Sequence, residues 1–268
     1  MDAAPVISVQ DVVVAYGGRR ILDGVNLDIA NGETMVLLGG SGSGKSTLLR
    51  QMIGLERPQS GRVLIHGMDL ARCKPNELRR VRRSIGVAFQ NGALFNSMSV
   101  EDNVALPLRE HTRLAESTIR LMTWMKLAVV GLADAGKLSP QELSGGMKKR
   151  AAVARALALD PEVLVFDEPS AGLDPIVAAE LDELILGLKR AFSMTVVVVT
   201  HEMASAFRIA DRMAMLYKGS LIAVGAREEF QGSQNPRIRQ FLDRIPDRIA
   251  DEGAIDRYFE RYLEGNPV

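Results

Sequence analysis

The chain has 268 residues, 47% of them hydrophobic and 25% charged, enough for one well-filled domain with an inserted part and too few for two large ones. Lys plus Arg balance Asp plus Glu at 33 each, so nothing in the charge argues for a nucleic-acid partner held by bulk charge. A single cysteine, Cys73, excludes an internal disulfide and fits a reducing compartment.

The start, Met1-Asp2-Ala3-Ala4-Pro5, has no basic residue and no apolar stretch, so no secretory signal is expected. Residues 6–15 and 20–29 read as two strands joined at Gly17-Gly18, with Asn31-Gly32 closing the second. Residues 35–38 form a short buried strand that runs into a glycine-rich loop and a helix over 46–54. Residues 58–61 make a turn, and 63–65 and 85–89 are further strands. From Asn91 the period changes, and 100–160 is mostly helical, rich in Met and Leu around Trp124. Strands resume at 163–166 and 195–200, separated by a helix over 176–192. Residues 213–216 and 221–224 form a hairpin around Lys218-Gly219-Ser220, and the remainder is helical. No run approaches the ~18 apolar residues of a membrane span, so membrane association requires a partner.

Apolar strands alternating with helices predict an α/β domain around a parallel sheet. It is expected over 6–245, with a helical part inserted at about 91–160 and a C-terminal helical extension at 246–268. Within that extension Ile255, Tyr258, Phe259, Tyr262 and Leu263 recur at helical spacing as one apolar stripe.

Gly39-Gly40-Ser41-Gly42-Ser43-Gly44-Lys45-Ser46-Thr47 has the phosphate-loop spacing of a glycine, four residues, then Gly-Lys-Ser. Glycines let backbone N–H groups close around phosphate oxygens, and the following helix offers its positive end. Lys45 is expected on the β- and γ-phosphates and Ser46 on Mg²⁺. Val163-Leu164-Val165-Phe166-Asp167-Glu168 is an apolar strand ending in two acids. That tip places Asp167 toward a metal and leaves Glu168 free to take a proton from water. No Asn-Lys-x-Asp guanine-reading pattern is present. In Leu143-Ser144-Gly145-Gly146-Met147, Ser144 and two glycines precede a helix over 148–159, a second anion-receptive helix start.

With these three stretches in this order the sequence resembles the ABC ATPases, over roughly residues 6–230. The resemblance implies a P-loop NTPase cassette with a RecA-like core sheet, an N-terminal antiparallel β subdomain and an inserted helical subdomain. It implies that Tyr16 stacks on adenine and that Gln90 senses metal and water. It further implies that Ser170-Ala171-Gly172-Leu173-Asp174 crosses to another subunit and that His201 holds the γ-phosphate. ATP with Mg²⁺ would then sit between two copies head to tail. Gly39 to Thr47 of one would face Ser144, Gly145 and Gly146 of the other, with Asp174 near the nucleotide. Lys45, Gln90, Glu168 and His201 would be catalytic, and Ser46, Gln90 and Asp167 would hold the metal.

Met147 stands where the family usually has Gln, and methionine cannot hydrogen-bond the nucleotide. This form, together with residues 89–110 and the run Pro236-Arg237-Ile238-Arg239-Gln240-Phe241-Leu242, is similar to the ATPases of Mla-type lipid transporters. That resemblance implies a permease and an MCE-domain lipid-binding protein as partners, no nucleic acid, and a peripheral place on the cytoplasmic face of the inner membrane. A small-solute importer's ATPase, or a cell-division-type cassette outside transport, shares the core pattern. Plainer readings stand beside these. Tyr16 and His201 could be strand-end residues, and Leu94, Phe95 and Val104 could fill the helical part. Arg79, Arg80, Arg82 and Arg83 read as a solvated helix face. Cys73 and Trp124 read as packing residues, and His66 and His111 as structural or solvated.

Overall fold

A computed structural model describes residues 4–246; the apolar stripe expected at 255–263 lies outside the described residues. The described part falls into two units, one running through Gly232 and the other from Ser233 onward.

Alternating apolar residues make the first sheet. β1 (Ile7–Tyr16) and β2 (Arg19–Ile29) pair antiparallel across the Gly17-Gly18 turn, from Tyr16 opposite Arg19 to Ile7 opposite Ile29. β4 (Ser60–Ile65) joins the other edge of β1, and the two-residue β5 (Met68–Asp69) completes the order β2-β1-β4-β5. Ile7, Val9, Val12, Leu22, Val25 and Ile29 point into the core.

The continuous apolar runs make the second sheet, because strands covered on both faces need no polar side. Its order is β10-β9-β3-β8-β7-β6, with β10 (Ser220–Ala226) antiparallel to β9 (Arg212–Tyr217). β3 (Thr34–Leu38), β8 (Thr195–Val199), β7 (Val163–Asp167) and β6 (Ile85–Ala88) run parallel. Met35, Leu37, Val163, Val165, Val197 and Val199 join the first sheet and helix α1 (Lys45–Met52) in one buried cluster. The alternate residues Val36, Leu38, Leu164, Phe166, Val196 and Val198 are equally buried on the opposite face.

α2 (Pro75–Arg83) carries the basic run, with Arg79, Arg80, Arg82 and Arg83 exposed and only Val81 buried. Between β6 and β7 lie α3 (Val100–His111), α4 (Glu116–Val129) and α5 (Gly145–Ala156). Ala105, Leu108, Ile119 and Ala158 form their own small core, and Val104 is fully buried while Phe95 is half exposed. Trp124 corrects the packing expectation: it is 56% exposed, because α4 buries Ile119, Thr123 and Leu127 and turns Leu121, Trp124 and Met125 outward. α5 starts three residues before the expected 148, since Ser144 caps it and the two glycines form its first turn. α6 (Pro175–Phe192), α7 (Met203–Ile209) and α8 (Arg227–Gln231) complete this unit.

The second unit holds α9 (Pro236–Leu242), begun by proline at its first position and by Asn235, whose Oδ1 accepts the Arg237 N–H at 2.9 Å. Among the described residues no helix is long and apolar enough to cross a membrane.

Candidate active site

The loop from β3 to α1 is tightly folded. A Cβ on Gly39 (φ 146°) would stand 2.3 Å from the Leu216 carbonyl oxygen, so only glycine fits there. The Ser43 N–H donates to the Gly40 oxygen at 3.2 Å, and the Gly219 N–H donates to the Ser43 oxygen at 3.0 Å. Gly44 caps α1, and Lys45 follows it, buried. Its ammonium donates to the carbonyls of Gly39 at 2.7 Å and Gly40 at 3.0 Å. Burial pulls the Lys45 pKa down, opposed by Glu168 and Asp167. A desolvated ammonium gains from an added anion, which is what a phosphate group supplies. Ser41, Gly42 and Ser46 are exposed, and Thr47 is buried.

Asp167 ends β7, and its Oδ1 is buried without a hydrogen-bond partner. Burial, then Glu168, raises its pKa. An orphaned carboxylate oxygen suits a hard divalent cation. Among the described residues no group of three or more His, Cys, Asp or Glu could hold a metal. A cation here would therefore draw its other ligands from Ser46, Gln90, phosphate and water. That donor set fits Mg²⁺ arriving with a nucleotide, and it would not fit a permanently held metal.

Glu168 has a left-handed backbone, φ 49°, which costs a non-glycine residue about 1–2 kcal/mol. Neighbours hold it there: its N–H donates to the Val199 oxygen at 2.8 Å, and its own carbonyl accepts from Lys149 Nζ at 3.0 Å and from the Ala171 N–H at 3.3 Å. The result turns the carboxylate toward His201, whose Nδ1 lies 2.8 Å from Glu168 Oε2. The His201 side chain is 58% exposed and that of Glu168 is 13% exposed, so the pair sits at the rim with the acid inside. Gln90 is exposed two residues beyond β6, and its carbonyl accepts from Lys149 Nζ at 2.5 Å. Adjacent strands β3, β8, β7 and β6 thus bring Lys45, His201, Asp167 with Glu168, and Gln90 to the carboxyl edge of one parallel sheet, where ligands of such sheets bind.

The start of α5 is the second anion-receptive end. Ser144 Oγ accepts the Met147 N–H at 3.3 Å, Ser144 and Gly145 are exposed, and Gly146 packs against Val177. Asp174, expected near a nucleotide, caps α6 by accepting from the Ile176 and Val177 N–H groups at 3.0 and 3.1 Å. The Tyr16 ring is 47% exposed, and its hydroxyl donates to Glu56; that hydrogen bond leads the causes raising its pKa.

Two residues at this edge went unremarked in the sequence reading. Lys149 bridges Gln90 and Glu168, and Arg155 donates to the carbonyls of Ala93 at 2.6 Å and Gly92 at 2.8 Å. A signal was present: Lys149 falls at helical spacing with Ala152, Val153 and Ala156, all buried, so it belongs to the inward face of α5.

Residues 22–171 match the family described as ABC transporter. The chain is 46% identical over 243 residues to the probable ribonucleotide transport ATP-binding protein mkl of Mycobacterium leprae, covering 91% of this chain and 70% of that one. Its match to the Mycobacterium tuberculosis protein of the same name spans 66% of that protein, a little under two thirds. It is 43% identical over 246 residues to the intermembrane phospholipid transport system ATP-binding protein MlaF of Escherichia coli, covering 92% and 91% of the two chains. Among solved structures, the ATP-binding cassette MJ0796, a dimer in a post-hydrolysis state with ADP and Pi, has a TM-score of 0.76 at 32% identity over 82% of this chain and 98% of that one. The Clostridium perfringens cbiO1, part of the ABC transporter complex cbiONQ, has a TM-score of 0.79 at 29% identity over 90% and 100%.

Proposed function

The chain belongs to the ABC transporter family, as an ATPase that takes ATP with Mg²⁺, and from that premise we propose that it drives phospholipid transport between membranes. The observation that carries the lipid assignment is the match to MlaF, which runs through 91% of that protein's length and 92% of this chain. The mycobacterial relatives are slightly more identical, but the match spans only 70% and 66% of their own length. The chain works as two copies head to tail, with a permease and an MCE-domain lipid-binding protein, on the cytoplasmic face of the inner membrane. Residues 6–245 form the ATPase domain, 91–160 its inserted helical part, and 246–268 an extension.

In the mechanism, ATP lies between the phosphate loop of one copy and the α5 start of the other. Tyr16 stacks on the base. The amides of Gly39 to Thr47 and the Lys45 ammonium bind the β- and γ-phosphates, with the helix end adding positive potential. Ser46, Asp167 and Gln90 would hold Mg²⁺, which would supply charge neutralisation on the phosphates when bound. From the other copy, Ser144, Gly145 and Gly146 present a hydroxyl and amides to the γ-phosphate, and Asp174 fixes the neighbouring helix start. Glu168 takes a proton from the attacking water, and His201, already on the Glu168 carboxylate, orients it and holds the γ-phosphate side. No covalent intermediate forms on the protein; positioning and charge stabilisation supply the rate.

Ribonucleotide transport is the second reading, favoured only by the name of the mycobacterial relatives. Purifying the tagged chain from its native membrane, with mass spectrometry of proteins and lipids, separates the two. An MCE-domain protein and bound phospholipid are the expected companions. A solute-binding protein with no lipid enrichment would overturn the lipid assignment.

A further inference from the structure

We propose that Lys149 is a positioning residue for hydrolysis, a clamp through which α5 carries the Gln90 loop and the Glu168 backbone with it. The proposal rests on the roles given above to Gln90 and Glu168. One ammonium donates to the Gln90 carbonyl at 2.5 Å and the Glu168 carbonyl at 3.0 Å, so it ties the ends of β6 and β7 to a single helix. Six residues along the same helix Arg155 grips the next part of the loop, at the carbonyls of Gly92 and Ala93. The loop from Gln90 to Ala93 therefore hangs from α5 at both ends by charge-assisted bonds, the stronger kind. Burial lowers the pKa of both cations, with Glu168, Asp167 and Glu202 pulling Lys149 the other way.

The consequence follows from where α5 begins. Its first turn is Gly145-Gly146-Met147, capped by Ser144, the end offered to the other copy's nucleotide. A helix shifts as a rigid body, so a displacement at its start reaches Lys149 within about one turn. At Lys149 it moves two groups together: the loop bearing the metal-side glutamine, and the strained peptide that aims the general base. Glu168 would keep its Val199 and Ala171 hydrogen bonds without Lys149, so the residue stays in place. What is lost is its coupling to α5.

The test uses the full-length chain with Lys149→Met and Lys149→Arg, measuring MgATP turnover, KM and thermal unfolding. Methionine keeps the length and cannot donate; arginine can donate to two carbonyls. Lys149→Met should lower kcat at least tenfold with KM changed less than about threefold and the unfolding temperature within ~2 °C, while Lys149→Arg recovers most of the loss. Wild-type kcat in Lys149→Met overturns the proposal. So does a loss that follows a lower unfolding temperature and is not recovered by arginine, because that marks a lysine needed only for packing. Glu168→Gln is measured alongside: if it turns over normally, the general-base assignment falls and this inference with it. If it is inactive while Lys149→Met is active, only the clamp is refuted.

Discussion

Gly146→Ala adds one methyl group at the start of α5, and the structure says where it goes. Its Cβ would stand 2.7 Å from Val177 Cγ1, against about 3.5–4.0 Å for an ordinary carbon contact. Val177 cannot easily give way. Its N–H is bound to the Asp174 cap, Ala178 beside it is buried, and a β-branched side chain in a helix has essentially one rotamer. Relief therefore comes from sliding the start of α5 away from α6, at the ~1–3 kcal/mol typical of overpacking. At roughly 2–4 °C per kcal/mol for a chain of this size, the unfolding temperature should fall on the order of 5 °C. Moving the Gly145 and Gly146 amides should also cut MgATP turnover more than about tenfold. The assay is thermal unfolding and turnover of Gly146→Ala, Val177→Ala and the double variant. Removing the valine branches should return most of the loss as a favourable coupling of about 1–2 kcal/mol. Gly145→Ala is the control, since its Cβ meets only Leu173 Cδ2 at 3.5 Å and should change stability by less than ~0.5 kcal/mol. A Gly146→Ala protein as stable as wild type, or no coupling to Val177, would refute the reasoning.

Lys45→Ala should abolish hydrolysis through lost ATP binding, whereas Glu168→Gln should bind ATP normally, accumulate an ATP-bound dimer and turn over at least ~100-fold slower; nucleotide titration with sedimentation distinguishes them. Met147→Gln should change turnover less than about tenfold, under ~1.4 kcal/mol, because the Met147 contribution to the cap is its backbone N–H on Ser144 Oγ; complete loss in a turnover assay would show that the thioether has a packing role. Asp182, buried on α6 with Oδ1 unpartnered, has its pKa raised by burial, against the lowering effect of the Ser205 hydrogen bond. Its folded pKa lies above the unfolded one, so its favourable contribution is present at low pH and lost as pH rises through the folded value. Asp182→Asn should therefore raise the unfolding temperature near neutral pH and do little below about pH 4, where the acid is already protonated; an equal shift at both pH values would count against it.

Most of the parallel sheet was legible because its strands are buried on both faces. The runs at 35–38 and 163–166 have no polar residue to confuse the pattern and 195–200 has only its two terminal threonines, and β3, β7 and β8 fall on them within a residue or two. The phosphate loop and the two acids were legible for another reason: their chemistry demands particular residues at fixed spacing, so the local pattern marks them. Short elements with mixed faces were not. α7 has seven residues and no strong apolar stripe, and β5 is two residues held by pairing with β4. Trp124 was not legible as exposed, because the buried face of α4 is set by Ile119, Thr123 and Leu127.

The harder failures are polar residues turned inward, and they share one physical cause. Asn103 is fully buried: its carboxamide accepts from the Phe95 N–H at 2.7 Å and donates to the oxygens of Phe95 and Ser99 at 3.0 and 2.9 Å. Lys149 does the same for Gln90 and Glu168, and Arg155 for Gly92 and Ala93. Each satisfies backbone groups of a loop that leaves a strand end and forms neither helix nor sheet. Such groups must find partners where water cannot reach, at ~1–3 kcal/mol for each one left unpaired. The Gln90 carbonyl belongs to an exposed residue and the Glu168 carbonyl keeps the Ala171 N–H, so there Lys149 sets position more than stability. Nothing in the loop's own residues says which distant side chain will serve, because the need belongs to the backbone and every residue has the same backbone. In the sequence these side chains look like the occasional polar interruption of an apolar helix face. A lysine at such a position is costly unless a carbonyl or an acid meets it, so inward-facing cations on a helix that begins beside a binding site mark which loops that helix holds.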